Sequence, residues 1–145
     1  MTQMPDPTAR DQSARHQTAT DRPGIVLGDI VLDTDDPPRL AEFYAALLGW
    51  EIVRREDDWW SVGPEDGSRP VLSLQLALDY RPPSWPDNEV PQQFHLDLDV
   101  PAAELAESVA YAESLGATMA DNSRSESTFV VLLDPSGHPF CLCAC

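Results

Sequence analysis

The stretch PFCLCAC sets Cys141, Cys143 and Cys145 at every second position, and the chain has no other cysteine. A thiolate is a nucleophile and a soft metal ligand. Alternate residues of a strand share a face, so all three sulfurs project to one side. Cα atoms two apart on a strand lie about 6.7 Å from each other with parallel side chains, which disfavours a bridge. An odd number of cysteines and an N-terminal stretch without an apolar core predict free thiols in the reducing cytoplasm. Three other stretches hold groups of chemical interest. QFHLDLDV carries His95 in alternation with Asp97 and Asp99, GDIVLD carries Asp29 and Asp33, and VLSLQLAL carries Gln75. Cys141 with His95 has the makings of a nucleophile and its base, although no segment offers an oxyanion hole or a strained elbow.

Elements must position these groups. GIVLGDIVLDT reads as a strand. DDPPRLAEFYAALLG reads as a helix, with Asp35 or Asp36 as cap, prolines in the first turn and Gly49 closing it. Its apolar stripe is Leu40, Phe43, Tyr44, Leu47 and Leu48. WEIVRRE, WWSVG and VLSLQLAL are three further strands, separated by acidic or Gly/Pro turns. After the proline-rich connector RPPSWPDNEVPQ the order returns: the strand QFHLDLDV, the helix PAAELAESVAYAESLG with Leu105, Val109 and Ala112 on one face, then ATMADNS, TFVVLLD and PFCLCAC. Leu48-Gly49 matches Leu115-Gly116 and Tyr44 matches Tyr111 at a spacing of 67 residues. Asp29 matches His95 and Gln75 matches Cys141 at 66. Two copies at so long a period mark an internal duplication rather than a solenoid. The predicted fold class is α+β, with two tandem βαβββ modules at about 25–80 and 93–145. Residues 1–24, polar and free of aromatic and branched aliphatic side chains, are predicted to form a mobile tail.

The net charge is −16, with nine arginines and no lysine. All of the excess falls after residue 24, and such a surface repels nucleic acid and anionic membrane. No apolar run approaches the roughly 20 residues of a membrane span.

Alternation sorts the strands by face. Leu72, Leu74, Leu76 and Leu78 share one side with Ile30, Leu32, Phe94, Leu96, Leu98, Phe140 and Leu142, and this side is predicted to pack on the helices. Asp29, Gln75, His95 and Cys141 then share the second face. In a two-layer protein that face can simply be wet.

The doubled βαβββ order, RLAEFYAALLGW, FHLDLDV and LLDPSGHPFCL together resemble the vicinal-oxygen-chelate superfamily, which includes glyoxalase I, extradiol dioxygenases, fosfomycin-resistance transferases and bleomycin-resistance proteins. The similarity is greatest to its glyoxalase-like members and covers residues 25–143. It implies a cupped mixed sheet with helices outside, a homodimer, and a small-molecule ligand in the cup. It also implies metal ligands on the first and last strands of each module, at Asp29, Gln75, His95 and Cys141. His95 alone keeps a family-typical type; Asp29 replaces a histidine, while Gln75 and Cys141 replace glutamates. Carboxylate, imidazole and thiolate together suit Zn²⁺ better than a hard octahedral ion. The loss of both glutamates favours no metal and removes the family's general base.

Two functions follow from the resemblance. One is a metal-dependent lyase or dioxygenase using His95, Asp29 and Cys141, with Gln75 on the substrate. The other is a non-catalytic binder of a cationic aromatic drug or metabolite. Its cup would be walled by Asp33, Asp97 and Asp99 and floored by Trp59 or Trp60, with Phe129 in the matching strand of the second module. Adjacent on one strand, Trp59 and Trp60 must face opposite ways. Trp85 would line the rim or pin the connector. His138 reads as turn chemistry.

Overall fold

The computed structural model describes residues 23–120 and 128–145. The tail prediction therefore falls outside the described residues except for residues 23 and 24, and so does the end of the ATMADNS strand prediction. The first module runs β1 (Asp29–Thr34), α1 (Pro37–Leu48), β2 (Glu51–Arg55), β3 (Trp59–Gly63) and β4 (Val71–Leu76). The second runs β5 (Leu96–Val100), a 3₁₀ turn, α2 (Leu105–Ser114), β6 (Thr118–Met119), β7 (Phe129–Leu133) and β8 (Pro139–Ala144). The strand orders are β1-β4-β3-β2 and β5-β8-β7-β6, so the two mixed sheets repeat one topology. In each, the first strand pairs in parallel with the last. The α+β, two-module architecture expected from the sequence is the one observed. No helix is long and apolar enough to cross a membrane among the described residues.

Local chemistry explains α1. The Asp36 side chain accepts from the Arg39 amide, prolines occupy the first two positions, and Gly49 ends the helix at φ 63°. The helix buries Leu40, Ala41, Phe43 and Tyr44. They meet Leu32, Leu72 and Leu74 from β1 and β4, and Phe140 and Leu142 from β8, in one cluster that spans both modules. Each buried leucine or phenylalanine among them contributes about 1.5–3 kcal/mol. α2 packs more loosely: Ala112 is its one buried residue, while Leu105 and Val109 lie partly buried against the core.

Two leucine-side assignments are corrected. Leu78 is 92% exposed and Phe94 is 51% exposed, because β4 stops at Leu76 and β5 starts at Leu96. The chain turns off the sheet at Ala77, whose amide donates to the Thr34 carbonyl, and Tyr80 closes a turn back onto Ala77. His95 thus precedes β5 instead of lying within it.

Candidate functional site

On the second face of the first sheet, register aligns Asp29 with Val71, Val31 with Ser73 and Asp33 with Gln75. Trp59 pairs with Gln75 and Ser61 with Ser73. Trp59 therefore lies on the Asp29 face, and Trp60 packs against the core cluster. That face is bonded to itself. Trp59 Nε1 donates to Ser61 Oγ at 3.2 Å, Ser61 and Ser73 hydroxyls meet at 2.7 Å, and Ser73 donates to Asp29 Oδ2 at 2.7 Å. Arg69 holds Asp29 Oδ1 at 2.8 Å. Both tryptophans carry cations of their own chain: Arg54 lies 5.5 Å from the Trp59 ring centre and Arg55 5.8 Å from that of Trp60.

The second sheet aligns Asp97, Cys141 and Val131 in one row, and Asp99, Cys143 and Phe129 in the next. His95 Nε2 lies 3.1 Å from Asp97 Oδ1. Donor atoms of His95, Asp97 and Cys141 all fall within 4.8 Å of one another, the single such group of metal-ligating side chains among the described residues. Asp29 is not part of it. Asp97 joins it although the sequence pointed to it as a ligand-binding wall. Burial, then the charge of Asp97 and a hydrogen bond to it, push the Cys141 thiol up to about 12. Burial and the charges of Asp97 and Asp99 also raise the Cys143 thiol.

A cavity of about 470 Å³ opens between the modules. β1 gives it Val31 and Asp33, β4 gives Gln75, and the connector, which in the structure takes in residues 77–94 because β4 ends at Leu76, gives Asp79, Tyr80, Arg81 and Phe94. His95, Leu96 and His138 complete the wall from the second module. Of the residues expected from the sequence, Asp33, Gln75 and His95 converge here. Asp29 lines a separate recess with Arg69 and Ser61. Trp59, Trp60, Trp85, Asp97, Asp99, Phe129 and Cys141 are not among the residues that line the cavity.

The DPSGHP turn locks this wall. Asp134 is buried, and its Oδ1 accepts from the amides of Ser136 at 2.9 Å and His138 at 3.0 Å. Its Oδ2 accepts from Tyr44 Oη at 2.7 Å and faces His138 Nδ1 at 2.8 Å. From the connector, Tyr80 Oη reaches the Ser136 carbonyl at 2.8 Å and His138 Nε2 at 3.1 Å. The Thr34 and Ser136 hydroxyls meet at 2.7 Å. Gly137 has φ 90°, and a Cβ there would lie 2.8 Å from Pro82 Cβ, so only glycine admits the connector so close. Burial first, then Asp134, raises the Tyr44 phenol well above its ordinary value. Burial first, then the carboxylates Asp134, Asp35 and Asp33, raises the Tyr80 phenol. Sequence reasoning recognised His138 as part of a turn but missed Tyr44, Tyr80 and Asp134 as a polar group. The Asp134/His138 spacing of four residues was the available signal.

Comparison with known proteins agrees with this architecture. A family profile described as a glyoxalase-like domain matches residues 29–143. No curated protein matches the chain. Among solved structures, a glyoxalase-related enzyme from Fulvimarina pelagi is 19% identical, with a TM-score of 0.62 over 83% of this chain and 88% of that one. The fosfomycin resistance protein FosX from Listeria monocytogenes is 14% identical, with a TM-score of 0.62 over 83% and 90%. A bleomycin resistance determinant encoded on transposon Tn5 is 21% identical, with a TM-score of 0.51 over 83% and 98%. At these identities the likeness is one of fold. With the profile spanning most of its length and both βαβββ modules in place, the chain belongs to the glyoxalase-like domain family of the vicinal-oxygen-chelate superfamily.

Proposed function

We propose that the protein binds a small organic molecule in the cavity between its modules. The cavity itself carries this reading: about 470 Å³ lies within the range of small-ligand sites. Phe94, Leu96, Pro83 and Pro91 offer apolar surface. Asp33 and Asp79 line the wall with a single arginine, Arg81, so it favours a neutral or cationic ligand over an anion. A bleomycin resistance determinant of the same fold supports drug or metabolite sequestration as the class of function. Calorimetric titration with 2-phenylethylamine and with phenylacetate tests the reading. The cation is expected to bind about tenfold or more tightly than the anion, a difference of about 1.4 kcal/mol. Asp33→Asn is expected to remove most of that preference. Equal affinities, or no change in the variant, would count against it.

A second reading, a metal-dependent lyase or dioxygenase, is favoured by the grouping of His95, Asp97 and Cys141. Imidazole, carboxylate and thiolate fit a divalent ion such as Zn²⁺ with a position left open. There the ion would act as a Lewis acid on a ligand oxygen. His95 would hold it at the cavity edge, since this residue belongs to both groups. Without the ion, the Cys141 thiol keeps its proton throughout the neutral range. Binding must displace that proton, so affinity rises with pH by about tenfold or more per unit across the neutral range. Competition with a chromophoric chelator between pH 6 and 8 measures the slope, and Cys141→Ser should flatten it. A pH-independent affinity in the wild type would exclude Cys141 as a ligand.

A further inference from the structure

The DPSGHP turn joins the modules, and the Tyr44–Asp134 and Thr34–Ser136 contacts suffice for that task. They do not account for Tyr80. The Asp134 carboxylate is surrounded by donors: two amides, the Tyr44 hydroxyl and the His138 ring. A carboxylate accepts only, so His138 Nδ1 carries a proton, a tautomer assigned from the network. His138 Nε2 then looks at Tyr80 Oη, 3.1 Å away. The phenol has one proton and two places to put it, Nε2 and the Ser136 carbonyl.

Two proton arrangements fit these distances. With a neutral ring, the Tyr80 proton is held between the Ser136 carbonyl at 2.8 Å and Nε2 at 3.1 Å. With a charged ring, Nε2–H donates to Tyr80 Oη, and the phenol proton points to the Ser136 carbonyl alone. The geometry of a base oriented by a buried carboxylate, with a hydroxyl in reach of its second nitrogen, is that of an acid–base unit. Tyr80 and His138 both line the cavity.

We propose that Asp134, His138 and Tyr80 form a proton relay opening into the cavity, which accepts a proton from an acidic hydroxyl, phenolic or enolic, of the bound molecule. The relay rests on the cavity being a ligand site. The ligand O–H bond breaks and its proton bonds to Tyr80 Oη. Tyr80's own proton bonds to His138 Nε2, and the ligand keeps the electron pair as an anion. A neutral ligand and a neutral ring become an anion beside an imidazolium, which Asp134 stabilises from the far side. The raised affinity of the Tyr80 phenol for its proton keeps Tyr80 a carrier rather than a resting anion. The other charged groups at the relay are Asp33 and Asp35 from the first module, and Asp79 and Arg81 from the connector; His95 also lines the cavity. The aspartates oppose an anion, and the imidazolium and Arg81 favour it.

4-Nitrophenol reports its own ionisation by absorbance, and its methyl ether 4-nitroanisole has no proton to give. Both are titrated into the full chain at a pH where free 4-nitrophenol is mostly neutral. The expected result is binding of both, with the phenolate band appearing on bound 4-nitrophenol alone. ¹⁵N signals of the His138 ring should move to the imidazolium position with 4-nitrophenol and stay in place with 4-nitroanisole. Tyr80→Phe should abolish the band; because Tyr80 lines the cavity, the variant is read at saturating 4-nitrophenol, so that the band is scored on bound probe whatever the affinity. His138→Gln should do the same, and Tyr80→Phe serves alone if that variant fails to fold. Binding of both probes without the band, or a band that survives Tyr80→Phe, overturns the relay and leaves the cavity reading standing. Binding of neither probe overturns both.

Discussion

Replacing Asp134 with alanine is expected to lower stability by about 3–5 kcal/mol, the cost of stripping a buried charged acceptor from its partners. The side chain is shielded from solvent and accepts from four donors. Alanine leaves the fully buried Tyr44 hydroxyl and two turn amides without an acceptor, and each orphaned group costs about 1–3 kcal/mol. Asparagine provides the contrast. Its carbonyl can keep both amides at the Oδ1 position, while its NH₂ meets Tyr44 and His138. Both of those can become acceptors, Tyr44 by turning its hydroxyl and His138 by changing tautomer. Asp134→Asn should therefore cost about half as much. Urea unfolding at constant slope measures both. Equal losses in the two variants, or less than about 1 kcal/mol in the alanine form, would show that the turn is not held as described.

Phe140→Ala should be comparably severe. Phe140 is fully buried, its ring centre is 6.0 Å from that of Phe43 at 66°, and it pairs across the sheet with Leu132 and Leu96. Removing a buried phenylalanine costs about 3–5 kcal/mol, from lost transfer energy plus the cavity left behind. Phe43 belongs to α1 and Phe140 to β8, so the hole opens between the two modules. Both should lose stability together, in one transition whether followed by tryptophan fluorescence from the first module or by far-UV dichroism. Two separated transitions would contradict a shared core. Phe140→Leu, which nearly refills the space, should cost less than about 2 kcal/mol.

Much of this fold was legible because it is written in local periodicity. The stripe Leu40, Phe43, Tyr44 and the alternation of Leu72 with Leu74 gave the buried faces correctly. Alternation failed at Leu78 and Phe94, where the proline-rich connector draws the chain off the sheet before the apolar pattern ends. The candidate site was legible only in part. Asp33, Gln75 and His95 reach the cavity because strand register and module order place them there. Asp29 does not, because it stands at the other end of β1 from Asp33, where Arg69 and Ser73, 40 and 44 residues away, claim its two oxygens. Tyr80 and Asp134 sit on a turn and a connector, where no periodicity reports direction. Their partnership with Tyr44 spans up to 90 residues, a separation at which a pattern of residue types says nothing about contact.

The connector's grip is uneven. Tyr80 and Pro82 are anchored on the DPSGHP turn, and Ser84 and Val90 bond each other through backbone and side chain. Between them Asp87, Asn88 and Glu89 are exposed. A protease that nicked the chain at those three residues would cut a loose tether, and the severed halves would remain associated as a two-piece protein with its cavity intact.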